Sequence, residues 1–552
     1  MTSPPSLPPL YYLRNFRVAL ATLAERYAGL LSLEESGFIE HFGRLPEPTQ
    51  CLVARLAMRK GPHFRRATLR YAEIPDLEAA LQGLVALGWL DSDPRLSAQD
   101  LMQVLNGEEL RLAVGFHRPR APSPALPTVR HPQLALPLDE QPVVHRSLSD
   151  WNAQLAGAVV HLCVDPLIRR LQLLFFGNDH QSWEQFVLVD LGVNRYEPVA
   201  LDDGARAFHS RDEIEHYYRL QDCRARLDAG EPAGAVREHA AALHSMSGWL
   251  GCRFMQLHVR IGERLEAEGK PDEALRSYRE GGGLEGMVRA VRLQTRLGRH
   301  AQAQRDALAV RQHACSEAQR EAIERALSRR KRRPPPEGLE VIGLEVPQGR
   351  PRQRIEIAAA ERLTQPGAPV FYVENSLLTS LFGLWCWEAL FAPVPGAFFH
   401  PFQSGPADLH TPEFRARREP QFSRLLDLLG AGPHEPLIWQ RYRAKAGIRT
   451  HFVHWNKLRP PLLRLALGCI PAAHLKVCFE RLLEDLRENA AGLPDLVQFW
   501  PTQRRYRLIE VKGPGDRLQD NQRRWFRFFA RHGIPAAVCQ TRWAGADRRP
   551  AA

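Results

Sequence analysis

Near the carboxyl end, "GLPDLVQFWPTQRRYRLIEVKG" sets Asp495 behind a proline and then places Glu510 and Lys512 two residues apart in an otherwise apolar run. "LVQFW" and "YRLIEVK" read as two strands joined by the turn "PTQRR". Alternation puts Tyr506, Leu508, Glu510 and Lys512 on one face and Ile509 and Val511 on the other. Asp495, at the mouth of the first strand, then meets Glu510 and Lys512. Two carboxylates sunk together in a strand demand a compensating cation, and a hard divalent ion with oxygen ligands supplies it. An ion held by Asp495 and Glu510 would polarise a phosphodiester and acidify a bound water. Lys512 would orient the nucleophile or neutralise developing charge. Alone, the pattern is loose, because two surface charges on an edge strand give the same letters.

The elements that must position these residues narrow the reading. After the hairpin, "RLQDNQRRWFRFFARHG" carries Leu518, Gln522, Trp525, Phe526 and Phe529 at helical spacing, and "AAVCQT" reads as a further strand. The resulting order, αβββαβ, is that of the PD-(D/E)xK nuclease core. Gln522 on the inner helix face either steadies a ligand or simply packs in the core. A third acid stands in "FYVENSLLTSLFGLWCWEALF", where Glu374 opens an apolar helix as a dipole partner or as a ligand; Glu388, near the far end, is the weaker choice. Between Trp387 and Asp495 a leucine-rich pattern predicts inserted helices, at about 390–488. "HFVH" at 451–454 has no further ligand at zinc spacing and reads as packing or surface.

Upstream the chain reads as helical. "LVARLAMRKGPHFRRATLRYAEI" predicts a helix, a basic turn with Lys60, Arg65 and Arg66, and a second helix, a way to hold a DNA backbone without reading sequence. A solvated cationic face is the alternative. "LSAQDLMQVLNGEELRLAV" predicts two short helices around Asn106 and Gly107, a SAP-like module closing an N-terminal domain at 1–116. Proline-rich 117–146 predicts a linker and a domain boundary. Over 147–335, turns at Gly230, Gly269 and Gly298 recur between an upstream leucine and a downstream alanine, as where paired helices pack closely in a tetratricopeptide-like array. "SRRKRRPPPEG" closes that array, as a solvated helix end or a phosphate contact. The nuclease domain takes the remainder, 336–552.

A chain of 552 residues exceeds a single core, and its net charge of +12, carried mostly by arginine, suits a polyanion, although a GC-rich genome alone also enriches arginine. Nine cysteines without a CxxC pair point to a reducing compartment. No charged-then-apolar leader and no apolar run of about 20 residues is present. A soluble, cytoplasmic protein is expected.

These residues resemble the VRR-NUC domain of the Fanconi-associated nuclease family. The likeness extends through "VENSLLTSLFGLWCWEALF", "PVPGAFFHPFQSGPADLHTPEFRARREPQF" and "GLPDLVQFWPTQRRYRLIEVKGPGDRLQDNQ", and upstream through "YYLRNFRVAL", "LRYAEI" and "LFFGNDHQSWEQFVLVDLG". The resemblance implies metal ligation by Glu374, Asp495, Glu510 and the backbone carbonyl of Val511, with Lys512 as catalytic lysine and Mg2+ or Mn2+ as the ion. It implies a 5′-flap endonuclease with 5′-to-3′ exonuclease activity on branched DNA, used in interstrand crosslink repair. The expected fold is mostly α and multidomain: a helical DNA-binding region, a helical solenoid, and an α/β restriction-endonuclease-like domain with a helical insertion. In the family such an insertion hinders two-fold pairing over a four-way junction, which favours a flap. The alternatives are a Holliday-junction resolvase or restriction-like nuclease on the same core, or a non-catalytic DNA-binding scaffold. No zinc-finger-like ubiquitin-binding module and no long extension precede "YYLRNF", so a bacterial member associated with the nucleoid is expected.

Overall fold

The computed structural model describes residues 10–114, 144–201, 205–243, 248–312, 316–327, 338–346 and 354–543. Cys315, the basic run at 328–337 and linker residues 117–143 lie outside the described residues. The chain forms two compact units, Met1–Asn194 and Arg195–Ala552.

In the first unit, helices Tyr11–Arg26, Leu33–Arg44, Glu47–Ala57 and Asp165–Phe176 surround an aromatic core of Phe16, Phe42, Phe176 and Trp183. Ser32 and Glu35 form a reciprocal capping box at the second of these, satisfying two amides that would otherwise lack partners. Two sequence expectations change here. The expected basic turn contains a short strand, His63–Arg65, antiparallel to Val159–Leu162, whose other edge pairs with Leu90–Asp91, and the expected second helix is reduced to the single 3-10 turn Arg66–Thr68. That central strand comes from about a hundred residues downstream, so residues 144–194 belong with the N-terminal unit. The boundary therefore falls after Asn194 and not in the proline-rich stretch. The two short helices are present as Ala98–Val104 and Gly107–Val114.

The second unit begins as a solenoid of successive helices, Arg211–Asp228, Ala233–Ala240, Gly248–Ala267, Pro271–Gly281, Gly283–Arg296, His300–Gln312 and finally α1 (Glu317–Leu327), each packed on its neighbours. Gly230, Gly269 and Gly298 all have positive φ, and a Cβ on any of them would meet nothing within 4 Å. They end helices in the left-handed conformation that glycine adopts cheaply, and close packing is not their role. The close approaches lie elsewhere: a Cβ on Gly262 would stand 2.3 Å from the Tyr278 ring, and one on Gly286 2.7 Å from the Tyr278 carbonyl oxygen.

Beyond the solenoid come β1 (Glu340–Val346), α2 (Ile355–Leu363), β2 (Val370–Tyr372), α3 (Leu377–Trp385), β3 (Leu496–Trp500), β4 (Arg505–Lys512), α4 (Asp520–Arg531) and β5 (Ala536–Trp543). The sheet order is β1-β5-β4-β3-β2, with β5 parallel to β1 and β4, and the β4, β3, β2 side antiparallel. The expected αβββαβ order is met from α2 onward only with α3 and the inserted helices standing between its first and second strands, and β1 is added at one edge. Between α3 and β3 stand Glu419–Ala431, Glu435–Ala444, Pro460–Cys469 and Ala472–Glu484. These inserted helices supply half of a large core, with Leu425, Leu463 and Phe479 packing with Val497, Phe499, Tyr506 and Leu508 of the sheet and Trp525 and Phe529 of α4. The opposite face, Leu496, Ile509, Val511 and Cys539, is covered by Ala359 and Ala360 of α2. The alternation expected for β4 is therefore realised, with both faces buried. No single described helix is long and apolar enough to cross a membrane.

Candidate active site

Strand register brings the acids to one end of the sheet. Leu496 pairs with Ile509, so one step back Asp495 lies opposite Glu510, and Tyr372 pairs with Leu496, which places Glu374 just beyond the same end. Two hydrogen bonds fix the junction: Val373 N donates to the Asp495 carbonyl at 2.7 Å, and Val511 N donates to Asp495 Oδ2 at 2.9 Å. The turn between β2 and α3 is closed by Asn375, whose φ is +50° and whose side-chain oxygen accepts from Leu493 N at 3.0 Å. That bond ties the start of α3 to the loop that delivers Asp495.

Asp495, Glu510 and Lys512 are all buried, with Glu510 only 1% exposed. Glu510 Oε1 accepts from Lys512 Nζ at 2.8 Å and from Gln522 Nε2 at 2.5 Å, whereas its Oε2 is buried without a hydrogen-bond partner. An orphaned carboxylate oxygen is costly in a protein interior and marks a place where something else binds. Burial pushes Glu510 up to about 8, with neighbouring Asp495 adding to the rise and Lys512 opposing it. Burial likewise pushes Asp495 up to about 6, opposed by the Val511 N–H and reinforced by Glu356 and Glu374. Carboxyls that resist ionisation on their own are the ones a bound cation would hold ionised.

Glu374 is half-buried, and Tyr372 donates its hydroxyl to Glu374 Oε2. Lys457, from the insertion, donates to the Glu374 carbonyl at 3.4 Å and sits 4.9 Å over the Tyr372 ring. Among the described residues no three Cys, His, Asp or Glu side chains already stand at metal-ligating distances. The physical reason is local: Glu510 is turned to Lys512 and Gln522, and Glu374 to Tyr372. The donor set nevertheless fits a hard divalent ion, with three acids, an available strand carbonyl at Val511 and the unpartnered Glu510 oxygen.

Gln522 is thus drawn to Glu510 rather than into apolar packing. Tyr372, Lys457 and Glu356 are the site residues that local patterns missed. Tyr372 stands two residues before Glu374, at strand spacing, a signal available in principle; Lys457 comes from a distant loop and carries none. Glu388 lies apart, paired with Arg441 at 2.7 Å. His451 faces Ser404 at 3.2 Å, and the His454 amide donates to Ser380, consistent with a packing role. In the first unit Lys60 is exposed, but Arg65 donates to Glu109 at 2.9 Å and Arg66 is paired with Glu78.

A mixed sheet with acids and a lysine gathered at one end, and a helix aimed at the glutamate, is the arrangement of a metal-dependent nuclease. The VRR-NUC domain model matches residues 430–543, and the model "FAN1, HTH domain" matches residues 10–91. Over 551 residues the chain is 44% identical to the Fanconi-associated nuclease 1 homolog of Pseudomonas aeruginosa, covering 98% of this chain and 97% of that one. It is 25% identical to the Arabidopsis thaliana homolog over 96% of this chain and 67% of that protein, and 24% identical to human Fanconi-associated nuclease 1 over 97% and 63%. Among solved structures, paFAN1 bound to 2nt 5′flap DNA with gap superposes with a TM-score of 0.89 at 43% identity, covering 98% of this chain and all of that one. The chain belongs to the Fanconi-associated nuclease family.

Proposed function

We propose that this protein hydrolyses phosphodiester bonds in DNA carrying a 5′ flap, as an endonuclease beside the branch and as a 5′-to-3′ exonuclease, in repair that includes interstrand crosslinks. The observation that carries the reading is the buried Asp495, Glu510 and Lys512 cluster with its unpartnered Glu510 oxygen. The flap assignment rests on the solved relatives, bound to DNA with 5′ flaps of one and two nucleotides.

Glu374, Asp495, Glu510 and the Val511 carbonyl would hold Mg2+ or Mn2+, an ion that supplies Lewis acidity toward the phosphate and lowers the pKa of bound water. Asp495 is aimed by the Val511 N–H, and Glu510 by the Gln522 amide. Lys512 carries its ammonium to the same point, where it orients the attacking water and balances charge developing on the phosphoryl oxygens. Lys60, exposed at the basic turn, contributes to the backbone grip of the N-terminal unit, beside Arg65 and Arg66, which are held by Glu109 and Glu78. The solenoid helices from Arg211 to Leu327 and the nuclease domain that follows them complete the DNA-handling parts, and the setting is the bacterial cytoplasm, at the nucleoid.

The test compares labelled 5′-flap, 3′-flap and four-way junction DNA with Mg2+, Mn2+ or chelator. Preferential cutting of the 5′ flap, abolished by chelator and reduced at least about a hundredfold by Asp495→Ala, is expected. Equal cutting of all three substrates overturns the flap assignment, and unchanged cutting by Asp495→Ala overturns the site.

A further inference from the structure

The last helix of the solenoid lies against the helix that carries Gln522, and the contact is built from charge. On α1, Glu317, Glu321 and Arg325 are spaced by four residues and share one face. Glu317 accepts from Arg481 at 2.9 Å and stands 3.4 Å from Arg527; Glu321 is bonded to Arg527 and lies 3.8 Å from Arg524. Arg325 donates to Asp520, the first residue of α4, at 2.5 Å. Arg481 and Arg524 are buried, and the Arg481 guanidinium also stacks 5.0 Å over Trp525 and 4.6 Å over Phe528 of α4. Buried guanidiniums need their carboxylates; Arg524 has Glu488 as its nearer partner at 3.1 Å, so α1 restrains α4 chiefly through Arg527, through Arg481 beneath Trp525, and through Asp520.

That placement reaches Glu510 through a single side chain. Gln522 Oε1 is occupied by the Gln519 amide at 2.8 Å, in the cap of α4, so the amide nitrogen of Gln522 is left to face Glu510. Arg325 holds Asp520, one residue from that cap. An ångström of drift in α4 takes the Gln522 amide out of bonding range of Glu510.

We propose that Glu317, Glu321 and Arg325 of α1 are positioning residues for the nuclease site, holding α4 so that Gln522 presents Glu510 to the ion. The proposal rests on the reading of Glu510 as a metal ligand given above. It makes the end of the solenoid a working part of the active site rather than a tether.

The full-length protein, Glu321→Gln, Arg325→Ala, the conservative Arg325→Lys, and the solenoid control Arg299→Gln, which removes an exposed pair with Asp272, are compared in flap cleavage against Mn2+ concentration. DNA affinity in chelator and metal-free thermal midpoints are measured alongside. Half-saturating Mn2+ is expected to rise about three- to tenfold in Glu321→Gln and Arg325→Ala, with DNA affinity unchanged and the conservative Arg325→Lys recovering most of the loss. Arg325→Ala, at the exposed edge, keeps the test alive if the buried variant does not fold. A lowered thermal midpoint with the same Mn2+ half-saturation as the Arg299→Gln control overturns the proposal. Cleavage by wild type that needs no divalent ion overturns the site reading itself, and this coupling with it.

Discussion

Glu510 is bonded through one oxygen and bare at the other, and the Gln522 amide is one of the two groups on the bonded side. Groups that steady a metal ligand from behind commonly contribute ten- to hundredfold to metal affinity or activity. Gln522→Leu is therefore expected to raise half-saturating Mn2+ by about tenfold or more, beyond any α1 variant, while the thermal midpoint without metal falls only by the lost cap bond from Gln519, about 1 kcal/mol; calorimetric Mn2+ titration checks it, and unchanged affinity counts against Gln522. Proton linkage gives a second prediction. Asp495 and Glu510 titrate in the metal-free fold near about 6 and about 8, above their ordinary values, so their contribution to stability is full below about pH 4 and is lost as pH rises through 6 and 8. A bound divalent ion reverses that loss, so the rise in thermal midpoint on adding Mn2+ should be small at pH 5 and grow by pH 8; an equal rise at both values contradicts the assignment. Asp495, Glu510 and Lys512 were legible in the sequence because strand alternation forces charges onto a buried face. Lys457 and Glu356 were not, since each reaches the site from a segment remote in sequence, with no local pattern to mark it.

Helices of the solenoid were legible as elements, but the purpose of their glycines was not. A glycine that ends a helix and one that admits a neighbouring ring look alike in a sequence; only φ and the surrounding atoms separate them. Gly269 has φ +75° and open space around its missing Cβ, whereas Gly286 faces the backbone carbonyl of Tyr278. Gly269→Ala should therefore cost about 1 kcal/mol of left-handed strain. Gly286→Ala should cost about 1 to 3 kcal/mol or more, because a main-chain oxygen cannot step aside as a side chain can. Urea midpoints of the two variants compare them directly, and Gly269→Ala proving the more damaging contradicts the account. The same limit explains the strand His63–Arg65, which the sequence placed in a turn. Its partner Val159–Leu162 is remote, and local propensity yields to that pairing. The inserted helices were legible by their leucines, though nothing local told that they would roof the sheet face carrying Glu510.

At the scale of the molecule, a net charge of +12 says that a polyanion is attracted without saying which cations touch it. Several candidates are already engaged: Arg65 by Glu109, Arg66 by Glu78, and much of the solenoid's arginine by neighbouring acids such as Asp272, Glu263 and Asp306. The family's DNA partner must be held by cations that gain more from phosphate than they lose from such bonds. Lys60 is exposed at the basic turn, while the Arg65 guanidinium and the Glu109 carboxylate are both largely covered. Each phosphate contact releases condensed counterions, so log affinity falls with log salt by about 0.9 per contact on duplex DNA. Lys60→Ala should accordingly flatten the salt dependence of flap binding by about 0.9 and leave the thermal midpoint unchanged. Arg65→Ala should do the reverse, removing about 2 kcal/mol of stability with the lost charged hydrogen bond and barely altering the slope. Fluorescence anisotropy across a salt series with chelator present reads the first quantity and thermal unfolding the second. If Arg65→Ala flattens the slope while Lys60→Ala does not, Arg65 leaves Glu109 when DNA arrives, and the grip of the N-terminal unit is formed on binding rather than before it.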